Sequence, residues 1–324
     1  MLIIQGAKDK KNIEAREQGI LNTITDHKLL TLIIEPSSKC NLRCKFCDLH
    51  SGRNQNVDDY KGFMDIVTWK RLLTDIVSLK YKLKQLQFHG NGEPLLNKNI
   101  YRMIQEAKEW NIAESIRVTT NGILMTDISK LISAGADDIR VSLDIADADG
   151  YRKFKGRDFC DEVLANIFRA IPIVEESDAQ LYIKYPIATE RKDYGVDNNY
   201  AESVLNLLGG IADGKEKIHL IGMPVVVMTG GNKKFDTPCE IPFYSLFVKF
   251  DGRVTLCCAD YSDELTIGNL KDESLGEIIL GDKLFEKRMD HLHGNFEFMP
   301  ICAVCENRTC VDLSDLADEL EWLI

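Results

Sequence analysis

Apolar positions along this chain follow two alternating rhythms. Thr31-Leu32-Ile33-Ile34-Glu35-Pro36 is a short apolar run that predicts a buried parallel strand over 30–36. Helical spacing follows over 65–80, where Ile66, Val67, Leu72, Leu73, Ile76, Val77 and Leu79 recur at three and four residues. The rhythms then take turns: strand 83–89, helix 97–110, strand 115–120, helix 126–134, strand 138–143, helix 160–175, strand 180–185, helix 200–208 and strand 217–222. Six strands alternating with helices predict an α/β fold on a parallel sheet with right-handed crossovers, closed or partly closed. A full barrel would need eight strands.

Beyond residue 228 the rhythm changes. Gly230-Gly231-Asn232-Lys233-Lys234 reads as a linker. Two β-rich runs, 245–250 and 253–257, then flank Asp251-Gly252 and predict a hairpin with a type I′ turn. The chain therefore divides into an N-terminal extension over 1–28, an alternating α/β unit over 29–228 and a small α+β unit over 229–324.

Strand parity adds a chemical hint. Gln85, Gln87 and His89 share one face of their strand, and Leu86 and Phe88 the other. Arg140, Ser142 and Asp144 share a face, as do Tyr182 and Lys184, the latter opposite Leu181, Ile183 and Tyr185. Fully buried parallel strands are apolar on both faces, so this pattern predicts a polar lumen suited to a hydrogen-bonding ligand such as a polyol or sugar. A solvated sheet edge is the plainer explanation of the same parity.

Composition narrows the class. The 324 residues suffice for one large domain or two, and carry a formal net charge of −11. That acidity argues against extended contact with nucleic-acid phosphates. The N-terminal residues lack an apolar signal core, and no apolar run approaches the ~20 residues that cross a bilayer. A cytoplasmic enzyme without a membrane partner is expected. Ten cysteines, clustered at 40–47, 239–258 and 302–310, suggest metal sites and not a secreted disulfide framework.

Cys40, Cys44 and Cys47 form C-x-x-x-C-x-x-C in the loop leaving the first strand. Three close thiolates can hold three corners of a [4Fe–4S] cubane and leave the fourth iron open for chemistry. Spacing alone leaves zinc binding and simple packing as alternatives. Polar motifs end the following strands: His89-Gly90-Asn91-Gly92-Glu93-Pro94, Thr119-Thr120-Asn121-Gly122, Val141-Ser142-Leu143-Asp144 and Tyr185-Pro186. Barrel enzymes build their sites at these strand ends. Each motif alone also fits an ordinary turn or cap.

Together these residues resemble the radical S-adenosylmethionine (SAM) superfamily over 29 to about 225. The resemblance implies a partial (β/α)6 barrel and a cluster whose open iron is chelated by SAM. One electron then cleaves SAM to methionine and a 5′-deoxyadenosyl radical that abstracts hydrogen from substrate. It implies that Gly90, Asn91, Gly92, Glu93 and Pro94 correspond to the family's Gly-Gly-Glu motif, with Asn91 replacing its first glycine. Gly92 would admit the ligand closely and Glu93 would accept from SAM's amine. It further implies that Phe46 lies near the adenine, that Asn121, Ser142 and Asp144 contact methionine and ribose, and that a flavodoxin or ferredoxin supplies electrons.

Cys239, Cys257 and Cys258 at the hairpin, with Cys302, Cys305 and Cys310 beyond it, resemble the SPASM module or its shortened twitch form. Full SPASM modules carry seven cysteines and two clusters. The smaller set here implies one auxiliary [4Fe–4S] cluster on Cys239, Cys257, Cys302 and Cys305, with Cys310 as a substitute ligand. Cys160 reads as a packed small hydrophobe. Cys258 points away from its neighbouring ligand and could pack, or could donate hydrogen to a substrate radical. The expected activity is abstraction from a carbinol carbon of a sugar, nucleotide sugar or aminocyclitol, ending in oxidation or epimerisation. Two alternatives stand beside it: a peptide maturase that crosslinks or epimerises residues, and a zinc-stabilised binding protein without activity.

Overall fold

A computed structural model describes residues 26, 28–47, 49–52, 61–187, 198–224, 239–261 and 263–305. The strands are β1 (Thr31–Ile34), β2 (Leu83–Phe88), β3 (Ala113–Thr120), β4 (Asp138–Ser142), β5 (Gln180–Ile187) and β6 (Ile218–Pro224), then β7 (Ser245–Val248), β8 (Arg253–Thr255) and β9 (Thr266–Asn269). The helices are α1 (Ile66–Ser78), α2 (Ile100–Glu109), α3 (Ser129–Ala134), α4 (Ala148–Lys155), α5 (Cys160–Glu175) and α6 (Asn198–Ala212), then α7 (Ile241–Tyr244), α8 (Leu275–Leu280), α9 (Asp282–Leu292) and α10 (Pro300–Val304). The expected linker at 230–234, Cys310 and nearly all of 1–28 lie outside the described residues.

β1 to β6 pair in parallel in chain order, as the alternation of rhythms requires. Local chemistry sets the helices. Asp65 caps α1 by accepting from Thr68 N at 2.7 Å, and α1 buries Trp69, Leu72, Leu73 and Ile76. Gly135 and Gly156 end α3 and α4 in the left-handed conformation. Along β2, Leu86 and Phe88 are buried on one face, while Gln85 and Gln87 lie on the other. The opposite surface of β3 to β5 repeats this, with Arg117, Arg140, Tyr182 and Lys184 on the polar side. This is the expected lumen, and its strand ends carry the motifs.

The second unit departs from expectation. β7 pairs in parallel with β1, so the hairpin extends the first sheet to the order β6-β5-β4-β3-β2-β1-β7-β8-β9. The hairpin turn is not type I′. Gly252 is at φ +93, but Asp251 has no positive φ, and Gly252 N donates to Lys249 O at 3.0 Å. A three-residue loop with one left-handed glycine closes the hairpin, which needs positive φ at a single position. Cys257 and Cys258 lie past the end of β8, in the following turn and not on the strand. Cys160 begins α5 and is buried in the core.

Candidate active site

Polar strand ends surround one cavity of about 400 Å³. Its walls gather Cys40, Cys44, Cys47 and Phe46 from the loop after β1. Gly90, Asn91, Gly92 and Glu93 come from the loop after β2, and Asn121, Ser142 and Asp144 from the ends of β3 and β4. Cys258 enters from the second unit. Pro94 is the exception among the expected contacts. It does not line the cavity; it is buried and opens a 3-10 turn, Pro94–Leu96, whose first φ its ring fixes.

The cysteine loop is held by α4. Arg43 N donates to Lys155 O at 3.1 Å, and Lys45 N to Phe154 O at 2.9 Å. Gly156 permits this approach, because a Cβ there would collide with the Arg43 carbonyl. Gly92 packs against the Ser37 and Lys39 carbonyls, where a Cβ would also overlap backbone. Glu93 N donates to Lys39 O at 2.8 Å, which ties the loops after β1 and β2 together.

Glu93 is buried and already engaged. Its carboxylate accepts from Leu95 N at 3.1 Å, Thr120 Oγ1 at 2.7 Å and Asn121 N at 2.7 Å. Burial pushes its pKa up, and those three donors offset part of the push. Asn121 Nδ2 donates to Asn41 Oδ1 at 2.7 Å while its Oδ1 accepts from Ile123 N, so it is a turn residue and a cavity residue at once. Asp144 adopts φ +66 at the end of β4. Phe46 packs on Phe154 with ring centroids 4.7 Å apart.

Lys155 is a cavity residue that the sequence reading passed over. It is buried, paired with Asp144, and donates to Ser142 O at 2.8 Å. Burial alone would lower its pKa, but Asp144, then Cys44 and Tyr151, raise it above the ordinary value. Glu35 was also passed over. Its fully buried carboxylate accepts from Asn91 N at 3.0 Å and from Phe250 N at 3.2 Å. His50 donates to Asn91 O at 2.9 Å and completes that loop.

The donor set fits a cluster and SAM. Burial pushes the Cys40 thiol up to about 11 and Cys44 to about 12, so a cation is needed to ionise them, as metal ligation provides. No three His, Cys, Asp or Glu side chains among the described residues gather tightly enough to share one ion. A cubane instead holds its thiolates at separate corners. Asn91 Nδ2 is buried without an acceptor in a residue lining the cavity, an orphan that a polar ligand would satisfy.

A second, apolar hollow is lined by Cys239, Cys257, Cys302 and Cys305 with Ile241, Pro242, Leu256 and His291. Cys302 sits on α10 and Cys305 caps it. Adjacent Cys257 and Cys258 line different hollows, and Cys258 lines the large one. Their thiols nevertheless hydrogen-bond to each other, so Cys258 does not point away from its neighbour as strand parity would require, because both lie past the end of β8.

Two family models match the chain: the radical SAM superfamily over 34–173 and an iron–sulfur cluster-binding SPASM domain over 239–306. Among curated relatives, a probable GTP 3′,8-cyclase of Methanocaldococcus jannaschii is 32% identical over 147 residues, 45% of this chain and 47% of the relative. A tungsten-containing aldehyde ferredoxin oxidoreductase cofactor-modifying protein of Pyrococcus furiosus is 33% identical over 116 residues, 35% of this chain and 30% of the relative. The match spans less than half the length of these relatives.

Two solved structures share the fold. BtrN in complex with AdoMet and 2-DOIA superposes with a TM-score of 0.59 at 20% identity, over 86% of this chain and 93% of that one. Streptococcus suis SuiB bound to precursor peptide SuiA gives 0.55 at 14% identity, over 94% and 77%. With both family models matched, the chain belongs to the radical SAM superfamily with a C-terminal SPASM domain, and its cofactors are SAM and [4Fe–4S] clusters.

Proposed function

We propose that this enzyme abstracts hydrogen from a carbinol carbon of a sugar, nucleotide sugar or aminocyclitol, and that the product is its ketone, where the carbon radical would give one electron to the auxiliary cluster and its hydroxyl proton to solvent, or its epimer, where a hydrogen atom would return to the opposite face. In this reading Cys40, Cys44 and Cys47 hold the SAM-binding cluster, and Cys239, Cys257, Cys302 and Cys305 hold one auxiliary cluster. SAM on its reduced cluster supplies, when bound, a primary carbon radical able to take hydrogen from an unactivated C–H bond. Glu93, Asn91 and Asn121 orient the methionine end, Ser142 and Asp144 the ribose, and Phe46 the adenine. Lys155 fixes Asp144 and Ser142 against the cysteine loop.

The observation that carries this reading is Cys258. It lines the same cavity as Asn121, Ser142 and Asp144, whereas Cys239, Cys257, Cys302 and Cys305, the other described cysteines of the second unit, line a separate hollow. A thiol outside the cluster set can return one hydrogen atom to a substrate radical, and the thiyl left behind needs one electron and one proton before the next turnover. The polar face of β2 to β5 supports a hydroxyl-rich substrate, and an electron donor of flavodoxin or ferredoxin type completes the reading. Cyclisation of a nucleotide is a second reading, favoured by the relatives named GTP 3′,8-cyclase.

Anaerobically reconstituted enzyme with SAM and dithionite tests this in deuterated buffer. Sugars, nucleotide sugars, aminocyclitols, GTP and peptides form the panel. A ketone, or an epimer with one deuterium at the inverted carbon, supports the proposal. A cyclised nucleotide selects the second reading. Turnover with peptides alone, or native protein with stoichiometric zinc and no sulfide, overturns it.

A further inference from the structure

The polar face of the sheet is unevenly charged. Arg117, Arg140 and Lys184 project from β3, β4 and β5 onto one side, in registered rungs. Arg117 and Asp138 face each other in the register, Arg140 pairs with Tyr182 one rung on, and Ser142 pairs with Lys184 a further rung toward the cavity. One carboxylate serves both arginines. Asp138 accepts from Arg117 at 2.7 Å and from Arg140 at 3.0 Å. Asp144, two residues past the end of β4, is committed to Lys155.

Lys184 has no such partner. Among the described residues no carboxylate, carbonyl or hydroxyl accepts from its Nζ, and its side chain lines the cavity together with Pro186 and Met223. Burial first, and the nearby Arg140 guanidinium second, lower its pKa to about 8. His89 lies against the same three cations and is lowered to about 3, by burial first and then by Lys184, so it stays neutral and cannot share a proton charge there. Arg140 lies over the Tyr182 ring at 4.9 Å, His219 stacks on that ring at 4.6 Å, and the register puts Arg140 one rung below Lys184. The chain as a whole carries −11, yet this wall concentrates cations around a single carboxylate. Buried cations are stable when paired, and Lys184 lines the cavity.

We propose that the substrate carries an oxyanion, a phosphate or a carboxylate, and that Lys184 receives it, with Arg140 and Arg117 reinforcing the attraction from deeper in the lumen. The inference rests on the cavity being the substrate site of the enzyme proposed above. It narrows that substrate from any hydroxyl-rich molecule to an anionic one, such as a phosphorylated sugar, a nucleotide or a sugar acid.

The test uses cluster-loaded enzyme with SAM, held anaerobically, and titration calorimetry at constant ionic strength set with chloride. Inorganic pyrophosphate and orthophosphate form one arm, succinate and acetate the other, and the arm that binds names the oxyanion. Lys184→Gln is expected to weaken that binding about ten- to hundredfold, the loss of a charge-assisted hydrogen bond. Lys184→Arg keeps the charge and is expected to bind within about threefold of wild type, which separates charge loss from misfolding. Undiminished binding in Lys184→Gln, or equal loss in both variants, overturns the proposal. SAM cleavage by the same wild-type preparation without binding of any anion also overturns it, and leaves the radical SAM reading intact. Anion binding without SAM cleavage does the reverse.

Discussion

Lys155 makes a sharp test of how the cavity is held together. Its side chain is 2% exposed and its partner Asp144 15%. It also donates to Ser142 O at 2.8 Å, and its own carbonyl accepts from Arg43 N of the cysteine loop. Lys155→Met keeps most of the side-chain volume but strands a nearly buried carboxylate. Breaking a buried pair costs ~3–5 kcal/mol, and the partial exposure of Asp144 places the expected loss at about 3 kcal/mol. For a chain of this size that is a melting temperature lower by roughly 4–5 °C. Asp144→Asn should cost a similar amount by stranding the ammonium. The double variant should recover most of the loss, giving a coupling of about 2–4 kcal/mol in a double-mutant cycle read by calorimetry. The pH dependence has a definite sign. The folded pKa of Lys155 lies above its ordinary value of 10.5, so the contribution is full below that value and is lost as pH rises beyond it. The gap between wild type and Lys155→Met should therefore stay constant between pH 7 and 9. Additive single losses, or a gap that shrinks across that window, would refute the pairing.

Replacing Cys40, Cys44 and Cys47 with Ala should remove about half of the roughly eight irons expected per reconstituted chain, by iron and sulfide assay. Gly92→Ala should abolish SAM binding by equilibrium dialysis, because its Cβ meets backbone carbonyls of Ser37 and Lys39 that cannot rotate away. Normal binding there would show that the two loops separate freely. Glu93→Ala should weaken SAM binding about ten- to hundredfold, and should also lower the melting temperature, since it strands Thr120 Oγ1 and Asn121 N. Loss of affinity with unchanged melting would mean that those bonds do not support the loop. Cys258→Ala should still form 5′-deoxyadenosine yet yield little epimer, and full turnover without solvent deuterium would refute the donor role.

Much of this site was legible because its parts are local. Strand and helix rhythms fix which residues end a strand, and the cysteine spacing and the glycines of 90–92 sit at those ends. Parity placed Gln85, Gln87, Arg140 and Lys184 on one face without knowledge of the sheet. Lys155 escaped because nothing local marks it. It ends α4, a short and mostly polar helix, and its partners come from β4 and the cysteine loop. Glu35 escaped for the same reason, since it joins residues 56 and 215 positions away. Asp251-Gly252 predicted the hairpin correctly but its turn wrongly, because the dipeptide is compatible with a longer loop and only strand pairing decides between them. Pairing of β7 with β1 is a contact between distant segments of the chain and leaves no trace in either segment.

That pairing makes the two cysteine sites one mechanical object. β1 has hydrogen-bonded neighbours on both sides, and Leu32 and Ile34 are fully buried. Cutting the chain ahead of residue 239 would turn β1 into a bare apolar edge, a template for intermolecular strand addition. The radical-generating half is thus expected to aggregate when expressed alone, and a foreign C-terminal unit would need its own parallel strand to replace it. The spacing between the sites is likewise set by strands about 4.8 Å apart and by the Glu35 clamp, not by a hinge. An electron passing between them would cross a gap that is fixed before substrate arrives.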